Sequence, residues 1–279
     1  QLADAIVNFT HGFDAFDEDE DGDTTDVREF VLGDIFHSNP LAIGPPLSYL
    51  RNETGYGPES LTNTFMYTYK HRDRVMYVGA NDGMLHAFSA GSFVDPSPSV
   101  TGDEYYTPGD GHERFAYIPA AVLPKIKELP KWDQGKIYAV DGASAAADVW
   151  IDYNMNSAKE GTDWTTVLLT PLREGGESLL ALDVTDPTAT AGYHGPYPRL
   201  MWEFTNSRLG QTWSKPIFTK LKIRAGLAVG DRCGIDNGDG DCADGRERDE
   251  GFDCDESDDA VNSGADELCD NARDDNCNG

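Results

Sequence analysis

Short runs of alternating apolar and polar residues, each broken by Gly or Asp, fill the chain from about residue 30 to residue 230. Arg74-Val75-Met76-Tyr77-Val78-Gly79 predicts one strand and Met84-Leu85-His86-Ala87-Phe88 the next. Between them, Ala80-Asn81-Asp82-Gly83 supplies residues that tolerate the positive φ of a tight hairpin turn. Residues 136–140 and 148–151 predict a second strand pair, broken at Asp141-Gly142. Residues 164–169 and 178–183 predict a third around Gly175-Gly176, and two more strands are expected at 200–204 and 216–221. Recurring strand–turn–strand units that carry Trp and Tyr predict propeller blades in a mainly β protein, rather than one sandwich. Helix is expected only at 60–71, with Ser60 as N-cap and Leu61, Phe65, Met66 and Tyr69 as an apolar stripe, and at 120–129, closed by Pro130. Both read as insertions between blade strands. Residues 91–112, rich in Gly, Pro, Ser and Asp, read as an exposed loop.

Charge divides the chain further. The 279 residues include 50 Asp and Glu against 22 Lys and Arg, a net charge of −28. That balance disfavours DNA, RNA and anionic membranes, whose phosphates need a basic patch. Residues 14–29 carry −8 and residues 231–279 carry −14, so the other 214 residues carry only −6. Two acidic patches are thus fastened to a normal globular body that is large enough, at 39% hydrophobic residues, to fill a core. No apolar run approaches the roughly 18 residues of a membrane span and no signal peptide opens the chain. Gln1 and Asn278-Gly279 read as cut points within something larger.

The acidic patches have the spacing of cation loops. Ca²⁺ takes six to eight oxygens at short range, and alternating Asp residues in a tight loop supply them. Asp17, Asp19, Asp21 and Asp23 fall on positions 1, 3, 5 and 7 of an EF-hand-type loop, with Gly22 at position 6 for the turn. Position 12, normally a bidentate Glu, is Arg28 here. In the tail, Asp253, Asp255, Ser257 and Asp259 repeat the odd spacing, with Glu267 placed to close the site; Asp236, Asp239, Asp241 and Asp244 offer another loop. Such carboxylates repel one another unless a cation neutralises them. A solvated acidic linker is the alternative reading of each run. All five cysteines, Cys233, Cys242, Cys254, Cys269 and Cys277, lie in the tail, which argues for a disulfide-stapled module in an oxidising compartment. Their spacings of 9, 12, 15 and 8 residues contain no CxxC zinc knuckle, and an odd count leaves one thiol free or paired outside the chain.

Catalytic signatures are missing: there is no G-x-S-x-G, no H-E-x-x-H and no P-loop. His37 and His86 read as structural hydrogen-bonders beside strands, and the Trp residues at 150, 164, 202 and 213 as packing between blades.

Several of these segments carry a family likeness. Residues 32–40 (LGDIFHSNP) and 77–88 (YVGANDGMLHAF) resemble the C-terminal propeller of PilY-type proteins, the tip-adhesin and assembly factors of type IV pili. Phe115-Ala116-Tyr117-Ile118-Pro119, Val140-Asp141-Gly142, Asp148-Val149, residues 181–187 (ALDVTDP) and Thr212-Trp213-Ser214-Lys215-Pro216 continue it in order over roughly residues 5–230. The resemblance implies a partial quinoprotein-like β-propeller with short helical insertions, with later blades beyond this chain. It also implies a non-enzymatic, extracellular role at a pilus tip or outer surface, in adhesion and in pilus assembly or retraction, made Ca²⁺-dependent by the acidic loops. The partners implied are minor pilins, the pilus-tip complex and a host or abiotic surface ligand. Residues 253–270 and 274–279 resemble the metal-binding repeat of MopE-type surface proteins, although the interval from Cys269 to Cys277 is one residue longer than in the usual repeat and Asn278 stands where Asp is common. The expected organisation is an acidic lead-in loop at 1–29, blades at 30–230 and a Ca²⁺-binding insertion at 231–279. Two alternatives follow. One is a secreted quinoprotein oxidoreductase holding pyrroloquinoline quinone over Ca²⁺, although the vicinal Cys-Cys of the alcohol dehydrogenases is absent. The other is a metal-scavenging surface protein.

Overall fold

The computed structural model describes residues 2–97, 102–131 and 135–219. Strands β1 (Leu41–Ile43), β2 (Arg74–Gly79) and β3 (Leu85–Gly91) lead into a two-stranded ribbon, β4 (Phe93–Val94) and β5 (Tyr105–Tyr106). Strand β6 (Glu113–Tyr117) then returns to pair with β3, completing a sheet in the order β1-β2-β3-β6. A second sheet follows as an uninterrupted meander of β7 (Ala145–Trp150), β8 (Trp164–Pro171), β9 (Ser178–Asp183) and β10 (Arg199–Thr205). Every pairing is antiparallel. Two consecutive four-stranded antiparallel sheets are two propeller blades, and the ring is not closed among the described residues.

The period-2 pattern accounts for these strands. In β2, Val75 and Tyr77 turn into the core while Arg74 and Met76 face out, and Tyr77 lies opposite Ala87 of β3. Strand β8 is buried along nearly its whole length, as suits a central strand, and pairs Leu168 with Leu182 and Leu169 with Ala181. Both blades share one core, in which Val75, Tyr77, Leu85 and Ala87 of the first meet Leu168, Leu180 and Leu182 of the second. Each fully buried aliphatic side chain contributes about 2 kcal/mol. A smaller cluster joins Tyr56, Phe65, Met66 and Trp164.

Two devices bind blade to blade. Arg72, buried just before β2, donates from Nε to the Gly44 carbonyl (2.8 Å) and from a guanidinium nitrogen to Thr166 Oγ1 (2.7 Å) and the Thr185 carbonyl (3.0 Å). The second device is the buried connection Ala139-Val140-Asp141, which corrects the strand expected at 136–140. Ala139 and Val140 form a bend, and the connection pairs with no neighbouring strand. Its N–H groups go to the turn after β2: Ala139 donates to Asn81 Oδ1 (3.0 Å) and Val140 to the Ala80 carbonyl (3.3 Å). Asp141 accepts from the His37 amide (3.1 Å), and Arg173 of the β8–β9 turn reaches it at 3.1 Å. Residues 148–151 accordingly pair with β8 instead of with 136–140.

The helices are shorter than their patterns suggest. α1 (Leu2–Thr10) precedes the first acidic loop within the expected lead-in, with Phe9 buried and Ile6 packed against the core. α2 is only Phe65–Tyr69 because Thr64, not Ser60, is the N-cap: its Oγ1 accepts the Tyr67 N–H at 3.2 Å. α3 shrinks to Leu123–Ile126. The expected loop 91–112 contains the β4–β5 ribbon, and residues 216–219 form no strand. Trp164 and Trp150 pack as expected, whereas Trp202 and Trp213 are 42% and 52% exposed. The body through Phe218 forms one unit. The cysteines and the tail residues Asp253, Asp255, Ser257, Asp259 and Glu267 lie outside the described residues.

Candidate functional site

The first acidic loop is closed at its base by backbone pairing. Phe13 bridges Val27, the Asp14 N–H donates to the Asp26 carbonyl (2.9 Å), and the Arg28 N–H donates to the Gly12 carbonyl (2.9 Å). Phe9 of α1 packs edge-on against Phe16 at 5.8 Å. The Arg28 guanidinium lies over the Phe9 ring at 3.7 Å and donates to the Phe9 carbonyl at 3.1 Å. Arg28 at position 12 is therefore a packing residue, which explains why the loop has no closing carboxylate there.

Inside the loop, Asp side chains hold the backbone in a tight coil. Asp14, buried, accepts the Glu18 N–H on both oxygens at 2.8 Å. Asp17 Oδ1 accepts from Gly22 (2.9 Å), Asp19 Oδ1 from Asp21 (3.2 Å) and Asp21 Oδ1 from Asp23 (2.7 Å). Gly22, at φ +86°, makes the turn that a Cβ would strain. Carboxylate oxygens of Asp17, Asp19 and Asp21 converge within 4.8 Å of one another, and so do those of Asp14, Asp19 and Asp26. Of the four expected ligands the structure thus gathers three. Asp23 is turned away onto Thr25, whose N–H (2.8 Å) and hydroxyl (2.7 Å) both reach its Oδ1 and hold its pKa below the usual carboxylate value.

Asp14 and Asp26 are the residues that spacing alone misses, because the Phe13–Val27 closure, not the odd-position count, brings them in. Desolvation first, then the charges of Asp21, Asp19 and Asp23, push the Asp26 carboxyl up, and its Oδ1 is buried without a hydrogen-bond partner. An oxygen-only donor set with one orphaned carboxylate oxygen fits a hard divalent cation such as Ca²⁺.

Three histidines are held in structural pairs with carboxylates. His86 lies between Glu113 (Nδ1 to Oε1, 2.5 Å) and Asp82 (Nε2 to Oδ2, 3.0 Å), and His37 Nδ1 lies 2.6 Å from Asp141. His194 Nδ1 meets buried Asp183 at 2.9 Å, where Arg199 also donates at 3.0 Å. An open cleft of about 930 Å³ runs between residues 52–64 and 159–162, with Tyr193 and His194 on its wall. No helix among the described residues is long and apolar enough to cross a membrane.

A family model described as the PilY1 β-propeller domain matches residues 32–230. A type IV pilus biogenesis factor PilY1 homolog of Xylella fastidiosa is 36% identical over 197 residues, covering 70% of this chain and 13% of the relative. Type IV pilus biogenesis factor PilY1 of Pseudomonas aeruginosa is 35% identical over 219 residues, covering 75% of this chain and 16% of the relative. The crystal structure of the Pseudomonas aeruginosa PilY1 C-terminal domain aligns with a TM-score of 0.38 at 32% identity, over 63% of this chain and 28% of that one. The chain therefore spans less than a fifth of the curated relatives it matches. Because the family match takes in both blades and the strap between them, the chain belongs to the PilY1 β-propeller family.

Proposed function

We propose that this chain is the propeller portion of a bacterial type IV pilus protein that works at the cell surface by binding and regulation, without catalysis. The observation that carries the reading is the family match over residues 32–230. The curated relatives are, by name, type IV pilus biogenesis factors. Its partners are minor pilins and the pilus-tip complex on one side and a host or abiotic surface ligand on the other. Its place is extracellular, at the pilus tip or on the outer membrane.

In this proposal Ca²⁺ is the regulator. Asp17, Asp19 and Asp21 hold it, with Asp14 and Asp26 alongside, and Asp23 supports the coil through Thr25. A bound cation offsets the mutual repulsion of these carboxylates and locks the loop on the Phe9–Phe16 contact. The tail set of Asp253, Asp255, Ser257, Asp259 and Glu267 is proposed as a further Ca²⁺ site in a disulfide-bonded module.

The test is genetic, in the bacterium that encodes the chain. Asp17→Ala with Asp19→Ala is expected to abolish the Ca²⁺ dependence of surface piliation and attachment at unchanged protein level; an unaltered Ca²⁺ response overturns the regulatory part. Deletion of residues 32–230 that leaves piliation and attachment intact overturns the pilus part. Alcohol oxidation by protein reconstituted with pyrroloquinoline quinone and Ca²⁺ overturns the non-enzymatic part.

A further inference from the structure

Connecting segments from both blades enclose the cleft of about 930 Å³: residues 52–64 ahead of α2, the end of the β7–β8 connection at 159–162, and the β9–β10 connection at 186–194. Its volume lies in the upper part of the roughly 300–1,000 Å³ of small-molecule sites, and binding groups concentrate on loops that a rigid scaffold positions. Three rings line it. Buried His194 makes edge-on contacts with Tyr69 (6.1 Å) and Tyr193 (6.0 Å), and Tyr153 braces Tyr193 edge-on at 5.0 Å. Asp183 fixes His194 through Nδ1 at 2.9 Å, which leaves Nε2 as the free end of the ring.

Polar groups without protein partners converge on this cleft. The Tyr69 and Tyr193 hydroxyls, the Asn52 and Asn63 carboxamides and His194 Nε2 make no hydrogen bond among the described residues, and all of them belong to lining residues. Desolvation first, then the charges of Asp186 and Asp183, push the Tyr69 phenol up to about 12, so it stays a neutral donor. Asp186 accepts the Thr188 N–H (2.9 Å) and hydroxyl (2.6 Å) on Oδ1, which leaves Oδ2 as an acceptor. Glu53, Glu160 and Asp186 outnumber Lys159, which Glu53 already holds at 3.0 Å. That excess of carboxylates repels phosphates, sulfates and sialic acids. Amides, phenols and one carboxylate oxygen instead suit hydroxyl groups, each of which both donates and accepts. Tyr193, 46% exposed and braced by Tyr153, offers an already ordered ring to the apolar C–H face of a sugar.

We propose that this cleft binds a neutral saccharide, with Tyr193 packing on the sugar ring and Asn52, Asn63, Tyr69 and Asp186 meeting its hydroxyls. The inference deepens the proposed surface-binding role and rests on it for the occupant being a surface glycan; it draws on neither acidic segment.

The test applies the 279-residue chain to an array of neutral, sialylated and sulfated glycans. The neutral oligosaccharide bound most tightly is then titrated by calorimetry into the chain and into Tyr193→Ala, Asn63→Ala and Tyr69→Phe. Tyr193 and Asn63 are exposed, so their replacement leaves the blades folded and Tm unchanged. Tyr193→Ala is expected to weaken binding at least about tenfold, and Asn63→Ala and Tyr69→Phe about fivefold each. The proposal is overturned if no neutral glycan binds, if sialylated or sulfated glycans bind better, if a lysine-rich peptide binds more tightly than any neutral glycan, or if all four proteins bind alike. Piliation reads the pilus role separately. A chain that supports piliation but binds no glycan overturns the cleft alone, whereas one that binds glycans yet is dispensable for piliation and attachment overturns the pilus reading alone.

Discussion

His86 lies buried between Asp82 and Glu113, and that placement sets a pH dependence. Burial works against its charged form, but hydrogen bonds and charge from Asp82 and then Glu113 outweigh it and raise the pKa above the ordinary 6.5. A raised folded-state pKa gives stability that is complete below the unfolded value and is lost as pH climbs through the folded one. Urea midpoints measured at about pH 5.5 and about pH 9 should show a loss at the higher pH that His86→Gln diminishes. An equal loss in both proteins would place the dependence elsewhere. Gly175 gives a steric prediction: an added Cβ would stand 1.5 Å from the Ala139 carbonyl oxygen, so Gly175→Ala must displace the strap between the blades. The expected cost is about 3 kcal/mol in urea unfolding, and a near-neutral result would mean that the β8–β9 turn yields. Residue roles are only partly legible in the sequence. Asp17, Asp19 and Asp21 announce themselves by charge density, whereas Asp14 and Asp26 join the cluster only through the Phe13–Val27 closure, which no spacing rule encodes.

Elements are legible in the sequence where local pairing decides them and obscure where distant contacts do. β2, β8, β9 and β10 lie within a residue or two of their expected limits, and β3 runs on three residues past its expected end to Gly91, because hairpin partners are close in sequence and the alternation is strict. Residues 136–140 have the composition of a strand. Their N–H groups find Asn81 and Ala80 across the molecule instead, and no period in the sequence encodes that. The helix expected at 60–71 is cut short for a local reason: Thr64 takes the cap. Arg72 acts at this scale, joining the approach to β2 with β8 and with the segment after β9. Arg72→Met would leave the Gly44 and Thr185 carbonyls without their donor, at an expected cost of about 3–5 kcal/mol in chemical denaturation. A change under about 1 kcal/mol would mean that other donors replace it.

At the scale of the molecule, a net charge of −28 makes stability a matter of counter-ions. Monovalent salt should raise Tm by screening, and Ca²⁺ should raise it further at equal ionic strength. One filled site at a hundredfold excess over Kd adds about 2.7 kcal/mol, which reads as several degrees. Ca²⁺ no better than matched NaCl would mean that the acidic loops are solvated faces. The strap from Ala139 to Asp141 has a mechanical consequence. It is held at the Ala80–Asn81 turn, at His37 and at Arg173, three anchors far apart in the chain. Tension that separates the blades must break these anchors together, in shear, whereas tension along a hairpin peels one bond at a time. In a protein proposed to sit where pili pull, rupture under force is therefore expected to begin at the hairpin tips and to spare the seam.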